Sequence, residues 1–202
     1  MKLRIAKMIA KSTAMALAAL ALGGCVSYTL VKPGPIFVGG NKLVVEPRSQ
    51  WNAMPAVRDQ TEWEDTWTQN GPLLDTVAFV GGLPEGKALR KQKKKTDQQV
   101  PKFRADMSPQ DLVSMVEASY RTLGVTVFDI ESVEPVDFLG GKGLNVKFKY
   151  APDNGISKKG ACVLRVVDKK LYAMKLDGVS SHYFAAAVPE FEQMVASAKL
   201  GK

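Results

Sequence analysis

Leu144-Asn145-Val146-Lys147-Phe148-Lys149-Tyr150 is the stretch from which the fold can be read. Apolar and polar residues alternate without a break. At the two-residue period of a pleated strand, Leu144, Val146, Phe148 and Tyr150 share a dry face, and Asn145, Lys147 and Lys149 share a wet one. Turn signals bound the strand on both sides, Gly140-Gly141-Lys142-Gly143 before it and Pro152-Asp153-Asn154-Gly155 after it. Residues 125–136 read as the strand before. Residues 160–167 and 170–176 read as a hairpin after it, closed across Asp168-Lys169.

Further upstream, Ser108-Pro109-Gln110-Asp111 opens a helix. Ser108 is its N-cap, Pro109 its first residue, and Asp111 stands in the first turn, where the helix dipole favours an acid. Leu112, Met115, Val116, Ser119 and Leu123 fall on one face, and Gly124 ends the helix. Residues 61–68 put Trp63 and Trp67 on one parity. Asn70-Gly71 is a tight-turn pair, so residues 72–80 are the returning strand of a second hairpin. Residues 42–46 form a short strand closed by Pro47. A last helix begins around Pro189 and buries Phe191, Met194, Val195 and Ala198. The expected fold is α+β, a mostly antiparallel sheet of about six strands flanked by a mid-chain and a C-terminal helix.

Before the domain stands a different kind of segment. Lys2, Arg4, Lys7 and Lys11 precede an Ala/Leu/Met stretch and then Gly23-Gly24-Cys25. A basic end, an apolar core and small residues at a cleavage point are the layout of a secretory signal. The apolar stretch, about 11 residues, is too short to span ~30 Å of hydrocarbon. Leu22-Gly23-Gly24-Cys25 resembles the lipobox of bacterial lipoproteins. That resemblance implies cleavage between Gly24 and Cys25, a diacylglyceryl thioether on the Cys25 sulfur, and attachment to the membrane through acyl chains. Two or three chains anchor stably where one alone is marginal. Val26 stands where Asp would favour inner-membrane retention, so the expected location is the periplasmic face of the outer membrane. Residues 1–24 are therefore read as signal peptide, 25–41 as lipidated N-terminus and tether, and 42–202 as one α+β domain.

The end of the chain carries a second resemblance. Leu171-Tyr172-Ala173-Met174-Lys175-Leu176, then His182-Tyr183-Phe184, then Pro189-Glu190-Phe191-Glu192-Gln193-Met194-Val195 is similar to the C-terminus of PsbP-like proteins. The resemblance implies an α/β/α sandwich and a binding or assembly role rather than catalysis. No metal or partner motif of that family has a match here.

The net charge of +8 is local in origin. Four positive charges lie in the leader, and Lys87, Arg90, Lys91, Lys93, Lys94 and Lys95 crowd a loop at 81–107 that reads as long and exposed. These six are the candidate contact with anionic headgroups or an acidic partner, each basic residue gaining about 1 kcal/mol near a negative surface. Nucleic acid is disfavoured, because the leader exports the chain and no aromatics interleave the lysines. Gly81-Gly82-Leu83-Pro84-Glu85-Gly86-Lys87-Ala88 nearly spells a phosphate-binding loop. It lacks the hydroxyl at position 88, Pro84 removes a donor, and no apolar helix follows.

Catalytic chemistry finds little to work with. His182 is the one histidine and has no partners at metal-ligand spacing, so no metal and no cofactor are expected. Cys162 lies in an apolar strand and reads as a buried thiol. Asp129, Glu131, Glu134 and Asp137 alternate as a solvated face does. The function expected is that of a non-enzymatic, membrane-anchored envelope lipoprotein with a binding or assembly role toward another protein or envelope component. The alternative is a carrier of a small apolar or amphipathic ligand, in a cleft lined by Trp63, Trp67, Phe79, Phe148 or Tyr150.

Overall fold

The structure is a computed structural model and describes residues 27–56, 60–91, 99–152 and 155–201. Gly24, Cys25, Lys93, Lys94 and Lys95 lie outside those residues. The elements in chain order are β1 (Thr29–Val31), β2 (Ile36–Val38), β3 (Leu43–Val45), β4 (Trp51–Ala53), β5 (Glu64–Thr68), β6 (Asp75–Leu83), α1 (Pro109–Arg121), β7 (Val125–Phe138), β8 (Gly141–Pro152), β9 (Lys158–Val167), β10 (Lys170–Val179), α2 (Tyr183–Ser197) and β11 (Lys199–Leu200). Eight strands form one antiparallel sheet in the order β1-β4-β5-β6-β10-β9-β8-β7, and three more form a small sheet, β11-β3-β2.

The large sheet is wider than the expected six strands. The additions are three-residue strands, β1 and β4, paired as Val31 with Trp51 and Thr29 with Ala53. They are too short for alternation to be visible in sequence. Within the stretch 25–41 read as lipidated N-terminus and tether, Thr29–Val31 and Ile36–Val38 are strands, β1 in the large sheet and β2 in the small one.

The hairpins form where the turn chemistry puts them. Gly71 takes φ +105° between β5 and β6. Buried Asp75 fixes that turn by accepting the Gln69 and Asn70 backbone N–H groups, the Thr68 hydroxyl and the Asn70 side chain. Asp168 and Lys169 both adopt positive φ, the pair of values that a two-residue hairpin between twisted strands requires. Helix α1 starts on a reciprocal capping box. Ser108 Oγ accepts the Asp111 N–H, and the Asp111 carboxylate accepts the Ser108 N–H. These bonds hold the Asp111 carboxyl below its ordinary value.

Alternation along the central strands divides the core in two. On one face Val77, Phe79, Ala161, Val163, Met174 and Leu176 pack under α2 through Phe191, Met194 and Val195. On the other, Val146, Phe148, Tyr150, Cys162, Leu164 and Ala173 pack under α1 through Leu112, Met115, Val116 and Tyr120. The sheet with one helix layer on each side is the α/β/α sandwich expected.

Four expectations are corrected. The last helix begins at Tyr183, so Pro189 lies inside it rather than at its start. Ala185, Ala186 and Ala187 form the turn that the proline ring abuts, and Ala is the residue that least obstructs a helical turn. Trp63 and Trp67 do not share a face. A turn at Thr61–Trp63, closed by the Glu64 N–H on the Thr61 carbonyl, precedes β5 and sends Trp63 to the α1 side while Trp67 packs on the α2 side. The stretch 81–107 is not exposed throughout. Leu83, Leu89 and Phe103 are buried, and Ala88 pairs with Lys102. Leu123 lies beyond the end of α1 and is half exposed.

Candidate functional site

Helix α2 is too narrow to cover its whole face of the sheet. It lies over the central strands and leaves the α2-side surface of β8 and β7 open, and a groove of about 490 Å³ runs between them. The floor is apolar, with Ala161 and Val163 of β9 and Val136 of β7. The helix wall is Phe184, Val188, Phe191 and Val195. The opposite wall is the wet face of β8, Asn145 and Lys147, with Lys159 and Glu131 at its rim.

Two polar groups in that wall are available to a ligand. Asn145 Oδ1 is shielded from solvent and has no hydrogen-bond partner among the described residues. Lys147 makes no ion pair among them, whereas its neighbours are engaged, Lys159 with Glu131 at 3.1 Å, Lys149 with Asp129 at 3.7 Å and Lys142 with Asp137 at 2.7 Å. Asp129 and Asp137 of β7 are thus cross-strand partners of lysines on adjacent β8, and Glu131 reaches over β8 to Lys159 of β9. The shape, mostly apolar with a few polar groups at one wall, is that of a small-molecule site, and its size falls in the usual range of several hundred Å³.

The aromatics expected to line a cleft are elsewhere. Trp67 and Phe79 pack edge to face at 4.5 Å inside the core, a pairing worth about 0.5–1.5 kcal/mol beyond its buried area. Phe148 and Tyr150 join Tyr120 and Phe128 beneath α1. Trp63 alone of the five fronts open space. The groove's own apolar residues went unread because Phe184 and Val188 precede Pro189, where no helix was expected. Extending the 3.6-residue pattern backwards from Phe191 through Val188 and Phe184 was the available signal.

Under α1 lies a charged cluster. Lys175 Nζ is 3.3 Å from Glu64 Oε1, both side chains being about seven-eighths buried. Two residues on along β10, Asp177 accepts the Tyr120 hydroxyl. Burial pushes the Asp177 carboxyl up, against the pull of Lys175 and Tyr120. Burial pulls Lys175 down, but Glu64 and Asp177 outweigh it and hold the ammonium above its ordinary value. Burial pushes the Cys162 thiol up to about 12, so it stays protonated and unreactive, as a structural thiol does. His182 is exposed at the start of α2, its ring against Tyr183 at 5.3 Å. Among the described residues no group of three metal-ligating side chains gathers, and no helix is long and apolar enough to cross a membrane.

The basic residues divide. Lys87, Arg90 and Lys91 line a cleft of about 360 Å³ beside Trp63. Gly81, Gly82 and Leu83 are the end of β6, so the glycine-rich stretch is strand followed by a turn at Pro84–Lys87 and does not form a phosphate-binding loop.

No family model matches the chain, and no curated protein matches it in sequence. Solved structures do match in fold. Cyanobacterial PsbP (CyanoP) from Synechocystis sp. PCC 6803 superposes with a TM-score of 0.54 at 9% identity, covering 89% of this chain and 95% of that one. The Ran-binding protein Mog1p of Saccharomyces cerevisiae gives 0.51 at 9% identity, covering 87% and 96%. A protein from Bacteroides thetaiotaomicron VPI-5482 also gives 0.51 at 9% identity, and there the chain, covered over 85%, spans about half the other's length. The fold is the PsbP-like α+β sandwich, and at such identities the likeness extends to the fold alone.

Proposed function

We propose that the protein is a non-enzymatic binding protein of the cell envelope, held through acyl chains on Cys25, whose α2 groove takes a small amphipathic ligand. The observation that carries the reading is the groove itself, an apolar trough along one wall of which the Asn145 oxygen and Lys147 have no hydrogen-bond or ion-pair partner among the described residues. A ligand with an apolar body and an anionic head that also carries a hydrogen-bond donor satisfies both walls. That Mog1p is itself a binding protein of this fold accords with a binding role. The tether rests on the lipobox-like Leu22-Gly23-Gly24-Cys25, which also supports placement on the periplasmic side of the outer membrane.

The test of the groove uses the full chain in neutral detergent and anilinonaphthalene sulfonate as probe. Ala196, exposed on the groove side of α2, is replaced by Trp to fill the trough from its rim. In a separate variant Lys147→Glu reverses the charge at the head position. Each is expected to weaken probe binding about tenfold or more. Saturable binding that neither change affects would remove the reading. The tether is tested separately, by incorporation of labelled palmitate in cells, expected in the wild type and lost in Cys25→Ser.

A second reading places a protein partner on β7. Its outer edge pairs with no strand among the described residues, and Val127, Ile130 and Val133 are exposed along it. Such an edge is a template for an added strand. Crosslinking in intact cells from a photoreactive residue at Val133 tests this, and an adduct is the expected result.

A further inference from the structure

Across the molecule from the groove, two clefts meet at Trp63. One, of about 430 Å³, lies between the chain crossing at Gly39-Gly40 and the end of β6, with Lys42, Lys170 and Tyr172 in its walls. The other is the cleft of Lys87, Arg90 and Lys91, backed by Thr61. Glu62 and Trp63 belong to both. Among the described residues, five cations and one carboxylate therefore line the two clefts, and Glu62 is exposed at the rim.

Lysines on a surface are commonplace; the back wall is not. Thr61 is 7% exposed, and its Oγ1, fully shielded, has no hydrogen-bond partner among the described residues. Trp63 Nε1 is shielded and without a partner in the same sense. A buried polar group left unsatisfied costs about 1–3 kcal/mol, so such groups are normally completed by something bound. Both can donate, and every cation around them can only donate. A pocket offering donors and positive charge is complementary to an acceptor-rich anion.

We infer that the Trp63 cleft is a binding site for a phosphate group, with Thr61 and Trp63 as its floor and Lys87, Arg90 and Lys91 as its charged walls. The site does not depend on the α2 groove and lies on other elements. A phosphate reaches it either as the headgroup of an anionic phospholipid or as a free phosphate, and the chemistry of recognition is shared.

Trp63 supplies the readout. Trp51 and Trp67 are 0% and 2% exposed, so of the three tryptophans only Trp63 meets solvent and reports on the cleft. The full chain in neutral detergent is titrated with inorganic phosphate in one arm and with dihexanoyl-phosphatidylglycerol in the other, at constant ionic strength. A saturable change in tryptophan fluorescence in either arm is expected. Lys87→Gln with Lys91→Gln, and separately the isosteric Thr61→Val, should each weaken it about tenfold. Thr61→Val removes an unpartnered hydroxyl, so its circular dichroism and melting temperature should not fall. Response to phosphate alone assigns a free phosphate, and response to the lipid alone assigns a headgroup. Silence in both arms overturns the inference. So does binding that the lysine changes weaken but Thr61→Val leaves intact, for that is attraction to a charged surface without a pocket.

Discussion

The Tyr120 hydroxyl lies 2.8 Å from each carboxylate oxygen of Asp177, joining the end of α1 to the centre of the sheet across 57 residues of chain. Asp177 is half-buried beside Lys175, which is itself paired with Glu64. Removing the hydroxyl with Tyr120→Phe keeps the ring in its aromatic cluster and takes one donor from a half-buried acid. The expected loss is about 1–3 kcal/mol of stability, read as a lower urea midpoint with an unchanged slope. A midpoint equal to the wild type's would mean that the bond contributes nothing net.

Alkaline pH should loosen the fold. The folded state keeps the Cys162 proton up to about pH 12, whereas the unfolded chain releases it near the ordinary value of 9.0. Between those values the unfolded state binds fewer protons, so stability falls as pH rises. Lys175 and Tyr120, both raised, add the same sign above their ordinary values of 10.5 and 10.0. Each group contributes a slope of up to about 1.4 kcal/mol per pH unit. Asp177, raised by burial, acts on the acid side, where its earlier protonation in the folded state favours folding as pH falls toward its ordinary value. Melting temperatures measured from neutral pH upward should drop above pH 9, and less steeply in Cys162→Ala than in the wild type. Equal slopes would show that the thiol is not the titrating group.

Gly81 and Gly39 cross so closely that a Cβ on Gly81 would run into the Gly39 carbonyl oxygen, a backbone atom that cannot swing away. Gly81→Ala is therefore expected to cost about 3 kcal/mol or more, as overpacking against main chain does. Thermal melting gives the number. A loss below about 0.5 kcal/mol, the scatter of ordinary surface changes, would mean that the crossing relaxes freely.

The fold was legible where local chemistry is specific. Ser108 with Asp111 and the alternation at 144–150 each fix backbone geometry within a few residues, and each formed as read; Asn70-Gly71 marked the place of its hairpin, but the loop runs on through Leu74 and β6 begins at Asp75 rather than at residue 72. Illegible were pairings between distant short segments. β11 joins β3 across more than 150 residues through Lys199–Val44 and Leu200–Leu43, with no periodicity to announce it. The candidate groove was half readable. Asn145 and Lys147 were correctly placed on the wet face of β8, but that face borders a trough only because α2 stops short of covering it. Helix coverage is a tertiary fact that no single strand encodes.

Pro189 interrupts α2 from within, and its ring nitrogen has no hydrogen to offer the preceding turn. Pro189→Ala restores one helical bond at an exposed position. After the freedom returned to the unfolded chain is deducted, the expected gain is about 1–2 kcal/mol. Chemical denaturation checks it. A loss instead would show that the proline is needed where it stands in α2.

Helix α2 is fastened at both ends. Gly178 admits Phe184 so closely that a Cβ there would meet its backbone at 2.6 Å, and beyond Ser197 the chain is stitched into β11. Between, Glu190 accepts the Arg48 and Ser49 N–H groups, and Ser197 Oγ accepts that of Glu46. A rod clamped so at several points has little room to swing away from the sheet. On the proposed ligand-binding reading, the trough beside it should act as a fixed gauge, and homologous ligands of increasing girth should meet an abrupt cutoff rather than a gradual decline.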